Sequence, residues 1–183
     1  PDARGYPHGL CGERSDLEMA DLTASRLREV LSYDPDTGVF TWRMTRRGRA
    51  VAGKKAGSKN GRGYIIVRVD RLLHRANRLA WLYMTGSWPP GDIDHINGDR
   101  ADDRWGNLRP ATRSQNNANG RRPRDNTSGF KGVSWHRGCN KWQAGIGVGG
   151  RRRHLGLFDT PEAAHNSYLT AAAKLFGQFV RAG

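Results

Sequence analysis

The sequence is poor in cysteine, in acidic side chains and in long apolar runs. Its two cysteines, Cys11 and Cys139, lie far apart. They are too few for a Cys-rich zinc site and do not make the framework of a secreted disulfide protein. No apolar run approaches the roughly 18 residues that a membrane-spanning helix needs. The N-terminal stretch has no apolar core of the kind that directs secretion, so the expectation is a soluble protein of a reducing compartment with no membrane partner. Acidic residues number 17 against 31 Lys and Arg, for a formal net charge of +14 over 183 residues. That length suits one or two small domains and excludes a large enzyme barrel.

The basic excess points to a polyanionic partner. Charge serving only solubility fits less well, because arginine dominates and the charge is unevenly placed. Residues 1–93 hold 16 basic and 10 acidic side chains, residues 94–120 hold four of each, and residues 121–183 hold 11 and 3. Two basic flanks around a neutral middle suit a chain that grips phosphates at both ends and works on one in between.

Local patterning predicts an α+β chain. Residues 1–22 read as a tail. A helix is expected over 23–33, where Leu27, Val30 and Leu31 fall at helical spacing. A turn at 34–38, a short strand at 39–42, an exposed basic loop at 43–63 and a strand at 64–70 follow. A helix from about Arg75 stops near Gly86 and Pro89-Pro90. Residues 92–109 are rich in turn formers, and 112–119 read as a short polar helix. A basic linker at 121–128 then leads to strands at 130–135, 141–148 and 152–158. Gly138 and Gly149-Gly150 mark the hairpin turns. Thr160 and Pro161 open a last helix, with Ala164, Tyr168, Ala171, Ala172 and Leu175 on one face. A three-stranded antiparallel sheet packed on one helix is the expected C-terminal architecture.

The chemistry-bearing cluster is Asp94-His95, then Asn107, Arg113 and Asn116. Cutting a phosphodiester needs a base for water and a hard cation to neutralise the phosphate and the leaving oxygen. A neutral imidazole, titrating near pH ~6.5 when unperturbed, serves as base at cellular pH. Carboxylate and amide oxygens suit Mg²⁺ or Mn²⁺. Side chains alternate along an extended strand, so Asp94 and His95 are expected on different faces, one for metal and one for water. A solvated turn is the competing reading. An EF-hand over 92–103 fails, because Ile96 and Asn97 stand where an oxygen ligand and a glycine are required.

The run Asp94-His95-Ile96-Asn97-Gly98-Asp99-Arg100, followed by Asn107-Leu108-Arg109, Thr112-Arg113 and Gln115-Asn116-Asn117, resembles the HNH endonucleases of phage and intron-homing type. Upstream, Tyr33-Asp34-Pro35, Thr37-Gly38, Phe40, Trp42 and Arg78-Leu79-Ala80-Trp81-Leu82-Tyr83 extend the resemblance over roughly residues 23–119. It implies a small ββα-metal nuclease domain over 23–120, with N-terminal helix and strand elements, that holds one divalent cation, Mg²⁺ or Mn²⁺. It implies Asp94 and Asn116 as metal ligands and His95 as general base. Asn107 would brace the hairpin loop and orient His95, and Arg113 would clamp a phosphate. Two departures stand out: Asn77 where His is expected, with His74 nearby, and Asp103 where Asn is more usual.

Basic strands interleaved with aromatics suit a sheet laid into the DNA major groove. Lys131, Trp135, His136, Arg137, Arg151, Arg152, Arg153 and His154 are the candidates, while Trp142 reads equally well as core. The run Ser128-Gly129-Phe130-Lys131-Gly132-Val133-Ser134-Trp135, with Lys141-Trp142-Gln143-Ala144 and Leu155-Gly156, resembles the APETALA-type (ethylene-response-factor) DNA-binding domain over about residues 128–178, which implies a DNA-binding domain at 129–183. Ser134, Gly145 and Gly147 stand where plant members carry long polar side chains, which implies a different target. The combined expectation is a metal-dependent, homing-type DNA endonuclease acting on double-stranded DNA. It would work in the cytoplasm of a bacterial or phage-infected cell, with no obligate protein partner. The alternatives are a non-catalytic DNA-binding regulator with a degenerate nuclease half, and a basic RNA-binding protein.

Overall fold

A computed structural model describes residues 22–181, apart from 47, 49 and 124. The expected tail therefore lies outside the described residues except for Leu22, which is buried in the first core.

Helix α1 (Ala24–Val30) starts where the Thr23 hydroxyl accepts from the Arg26 amide at 3.1 Å, and it buries Leu27 and Val30. It ends sooner than its apolar spacing predicts. Leu31 and Tyr33 are buried in alternation on strand β1 (Leu31–Asp34), which pairs antiparallel with β2 (Val39–Trp42). An apolar trio at 27, 30 and 31 fits either period, and pairing with β2 decides it. The Asp34 carboxylate takes the amides of Asp36 and Thr37 and the Thr37 hydroxyl, closing the turn. Gly38, at φ +71°, lets that turn press on the Asp103–Arg104 backbone, where a Cβ would sit 2.4 Å away. The Tyr33 hydroxyl donates to the Asp103 carbonyl at 2.7 Å, and the Trp105 amide donates to Pro35 at 2.9 Å. The first hairpin thus fixes the loop that carries Asp103.

The expected basic loop contains a two-residue strand, β3 (Ser58–Lys59). It pairs with β4 (Ile65–Val69), which pairs in turn with β5 (Leu72–Arg75). Asp70 and Arg71 turn between the last two at φ 43° and 73°. Helix α2 (Ala76–Thr85) follows directly and packs on α1. Leu27, Val30, Leu31, Phe40, Val67, Leu79 and Leu82 are all but inaccessible in this first core. Each such aliphatic burial contributes about 1.5–3 kcal/mol.

The turn-rich middle forms a hairpin of β6 (Asp92–His95) and β7 (Leu108–Ala111), followed by α3 (Arg113–Asn119). The register runs from Asp92 opposite Ala111 to His95 opposite Leu108. Thr112 caps α3 reciprocally with Gln115: the Thr112 hydroxyl accepts from the Gln115 amide, and the Gln115 side chain accepts from the Thr112 amide.

The C-terminal sheet has the order β10 (Arg151–Phe158), β9 (Lys141–Val148), β8 (Val133–His136), all antiparallel. Helix α4 (Pro161–Phe176) crosses it, capped by Thr160 and burying Ala164, Tyr168, Ala172 and Phe176. Leu175, expected on that face, is exposed. Gly132 sits under the helix at φ +77°, and a Cβ there would fall 2.2 Å from the Tyr168 ring. Ala111 and Ala118 share a second core with Ile146, Tyr168, Ala172, Phe176 and Phe179, so α3 packs against the C-terminal unit.

Candidate active site

Strand alternation divides the site between the two faces of the β6–β7 hairpin. Asp94 faces α3 and the C-terminal unit. Its carboxylate accepts from Nε and Nη2 of Arg109, directly opposite on β7, at 2.9 Å each, and both oxygens accept from Asn119 Nδ2 at 3.0 Å. Arg109 is itself tied to the C-terminal unit. Its guanidinium lies 3.8 Å from the centre of the Phe179 ring and donates to the Gln178 carbonyl at 3.1 Å. Asp92 occupies the same strand face as Asp94, and Asn116 donates to it at a marginal 3.5 Å.

His95 faces the N-terminal unit. Its Nε2 is 2.9 Å from Asp103 Oδ1, and both side chains are almost completely buried. The Tyr64 ring is its aromatic neighbour, with centroids 6.1 Å apart. Burial pushes the Asp103 carboxyl above its ordinary range, and the hydrogen bond to His95 pulls the other way. The second Asp103 oxygen, Oδ2, is buried with no hydrogen-bond partner among the described residues. A fold tolerates such a group at a cost of about 1–3 kcal/mol, and functional sites are where that cost is met.

Asn107 holds the loop between the strands. Its Oδ1 accepts from the Asn97 amide at 3.0 Å, and its Nδ2 donates to the Asp102 carbonyl and to Asn97 Oδ1. Its hydrogen bonds go to the loop, while Asp103 takes the imidazole. Arg113 stands exposed at the first position of α3, without an ion pair among the described residues. Asn77, the first departure from the expected pattern, is buried and donates to the Ile93 carbonyl at 3.3 Å, tying α2 to β6. His74 stacks on Trp88 with centroids 5.5 Å apart.

Asn116, expected to share a cation with Asp94, turns its amide to Asp92, and the amide that hydrogen-bonds Asp94 is that of Asn119, one helical turn further along α3. Composition gives no reason to separate these two amides. The alternation rule does carry a signal for Arg109, since residues directly opposite on a hairpin are neighbours. Among the described residues, no three of His, Cys, Asp and Glu form a metal-holding group. What the hairpin and α3 offer is the oxygens of two carboxylates on one strand face, with two amides above them whose nitrogens donate to those carboxylates. The carboxylate oxygens fit a hard divalent cation in kind. In this structure Arg109 balances the charge of Asp94.

In the C-terminal sheet, His136, Arg152 and His154 share the face turned away from α4. Gln143 bonds His154 there at 2.9 Å, and the Arg152 side chain lies across Gly145. Trp135 packs edge-on against Trp142, centroids 4.9 Å apart, on the helix side. Arg151 and Arg153 pair with Val148 and Ile146, also on that side, with their side chains exposed. Arg137 is exposed in the β8–β9 turn. Lys131 is not on the surface expected for a DNA contact. It is buried, and its ammonium donates to the Ala118 and Gly120 carbonyls at the end of α3. Burial, with nearby Arg181, lowers its pKa to about 8. No helix among the described residues is long and apolar enough to cross a membrane.

Residues 74–118 match the HNH endonuclease family, a stretch that contains α2, the hairpin and nearly all of α3. Over 102 residues, 55% of this chain and 84% of the relative, the sequence is 35% identical to Protein 3.8 of Escherichia phage T7. The chain belongs to the family of that phage protein and carries an HNH endonuclease domain. A further similarity, 39% identity over 57 residues, is to the AP2-like ethylene-responsive transcription factor TOE2 of Arabidopsis thaliana, of which the match spans 12%. No solved structure matches the chain.

Proposed function

We propose that the protein is a metal-dependent endonuclease that hydrolyses phosphodiester bonds of double-stranded DNA, with His95 as general base. One observation carries the reading. Asp103 holds the imidazole through Nε2, which leaves Nδ1 as the nitrogen that can take a proton from water. Asn107 acts one step further out, fixing the loop that presents Asp103. Arg113, exposed at the first position of α3, would meet a phosphate oxygen. When bound, a Mg²⁺ or Mn²⁺ ion held by Asp94 and Asn116 would supply neutralisation of the charge that develops on the phosphate and the departing 3′ oxygen. The resulting ends would be a 5′-phosphate and a 3′-hydroxyl. The open face of the C-terminal sheet, with His136, Arg152 and His154, would add contacts that position the duplex. The HNH family match and the phage relative support the nuclease reading, to which we add a mobile, homing-type role as part of the proposal.

A second reading has one observation in its favour. The Asp94 carboxylate is already engaged by Arg109 and Asn119, as in a nuclease half retained only for binding. Incubating the full chain with duplex DNA in Mg²⁺ or Mn²⁺, and in parallel with a chelator, separates the two. Metal-dependent nicking or cutting supports the nuclease. Tight binding with intact DNA in every metal supports the regulator.

A further inference from the structure

Beside His95, the N-terminal sheet carries a cluster that the HNH chemistry does not use. The Arg75 guanidinium lies 4.4 Å from the centre of the Tyr64 ring, and that of Arg100 lies 5.1 Å from the same centre. Both arginines are exposed, whereas the ring is half-buried, 6.1 Å from the His95 ring. Each part of the cluster is held. Asn60 Oδ1 accepts from the Arg62 and Tyr64 amides at 3.0 Å, fixing the turn that presents the ring. Arg100 Nη1 donates to the Arg62 carbonyl at 3.1 Å. Lys59 reaches the same turn, since its Cε and the Arg100 Cβ both fall 3.8 Å from the Cβ position of Gly63.

Among the described residues, no carboxylate pairs with these charges. The ion pairs among the described residues engage Arg26, Arg46, His95, Arg104, Arg109 and Lys141, and none engages Lys59, Arg75 or Arg100. Arg26 and Arg46, on the same N-terminal unit, share Asp70. Like charges gathered on one ring repel, and an anion between them relieves that repulsion. A guanidinium held over an aromatic ring can still turn N–H groups to solvent, and a guanidinium takes a phosphate through two parallel hydrogen bonds.

We infer that Lys59, Tyr64, Arg75 and Arg100 form a phosphate clamp for the backbone of duplex DNA, set beside His95 on the N-terminal sheet and separate from the C-terminal sheet. The clamp seats phosphates flanking the one to be attacked and reads no base. The choice of DNA as the polyanion rests on the nuclease reading, and the clamp itself rests on the side-chain geometry.

The test is binding of a labelled duplex of unrelated sequence to the full chain in a chelator, so that cutting plays no part, over a series of salt concentrations. Removing one cation from a phosphate should reduce the slope of log affinity against log salt by about 0.9. Arg75→Ala and Arg100→Ala should each lower the slope by about one and bind several-fold more weakly to any sequence. Tyr64→Phe keeps the ring and should bind as wild type, whereas Tyr64→Leu should lose affinity with an unchanged melting temperature. Wild-type affinity and slope in both arginine variants would overturn the clamp. Tighter binding of a single-stranded RNA of equal length, with the same reductions in slope, would overturn its assignment to duplex DNA. A protein that never cuts but shows those reductions would keep the clamp and reject the nuclease.

Discussion

Nε2 of His95 and Oδ1 of Asp103 lie 2.9 Å apart, sealed from solvent, and the Tyr33 hydroxyl restrains Asp103 through its carbonyl. A buried carboxylate in this position selects the imidazole tautomer with hydrogen on Nε2 and fixes the ring plane. Asp103→Asn retains the shape and loses the charge. Its amide can present either oxygen or nitrogen to the ring, so the tautomer is no longer enforced. The variant should cut DNA about 10–100-fold more slowly, with affinity for the duplex within about twofold of wild type. Unchanged turnover would mean that Asp103 is structural only.

Arg109 gives a prediction about charge balance. It neutralises Asp94 from inside the protein, and the two side chains are only 12% and 4% exposed. Arg109→Leu leaves a buried carboxylate without its cation and removes the Phe179 contact. Urea unfolding should show a loss of about 3 kcal/mol. A divalent ion that binds at Asp94 should restore part of that loss, because a ligand of the folded state stabilises it by mass action. If Mg²⁺ and Mn²⁺ leave the variant's midpoint where it was, Asp94 is not a metal ligand.

Acid stability should carry the mark of Asp70. Hydrogen bonds from Arg26, and then from Arg46, hold its carboxyl at about 2, against an ordinary 3.8. A carboxyl lowered in the folded state stabilises above its ordinary value, and that contribution fades as pH falls through about 2. The pair is 41% exposed on the Asp70 side, so solvent limits it to less than about 1 kcal/mol. Asn keeps the left-handed turn that Asp70 occupies at φ 43°. Asp70→Asn should therefore be slightly less stable than wild type at pH 7 and match it below pH ~2. A deficit that persists in acid would place its origin in the turn.

Much of this architecture is legible in residue patterns, and what is not has physical reasons. Thr112, Thr160 and Pro161 mark their helix starts, and the strand over 141–148 has the predicted bounds, because caps and turn residues act locally. β5 is not legible, because Leu72–Arg75 has exposed leucines and no clean alternation, so only pairing with β4 makes it a strand. Lys131 reads as a surface contact because a lone lysine in a basic sheet carries no sign that two helix-end carbonyls await it. The pairing of His95 with Asp103 is hidden for a different reason. It depends on a loop whose course is set by Gly38 and Tyr33, far away in sequence. Strand alternation puts Asp94 and His95 on separate faces, and they stand so. The hydrogen bond of Asn119 to Asp94 is not legible either, because residue types alone do not tell which amide of one short polar helix turns toward the strand.

The most direct measurement is DNA cleavage and DNA binding by His95→Ala, compared with wild type in the same Mg²⁺ or Mn²⁺ buffer. With His95 as the general base, cleavage by the variant should fall to background while the affinity for duplex DNA and its salt dependence stay the same. A variant that cuts at the wild-type rate would contradict that role.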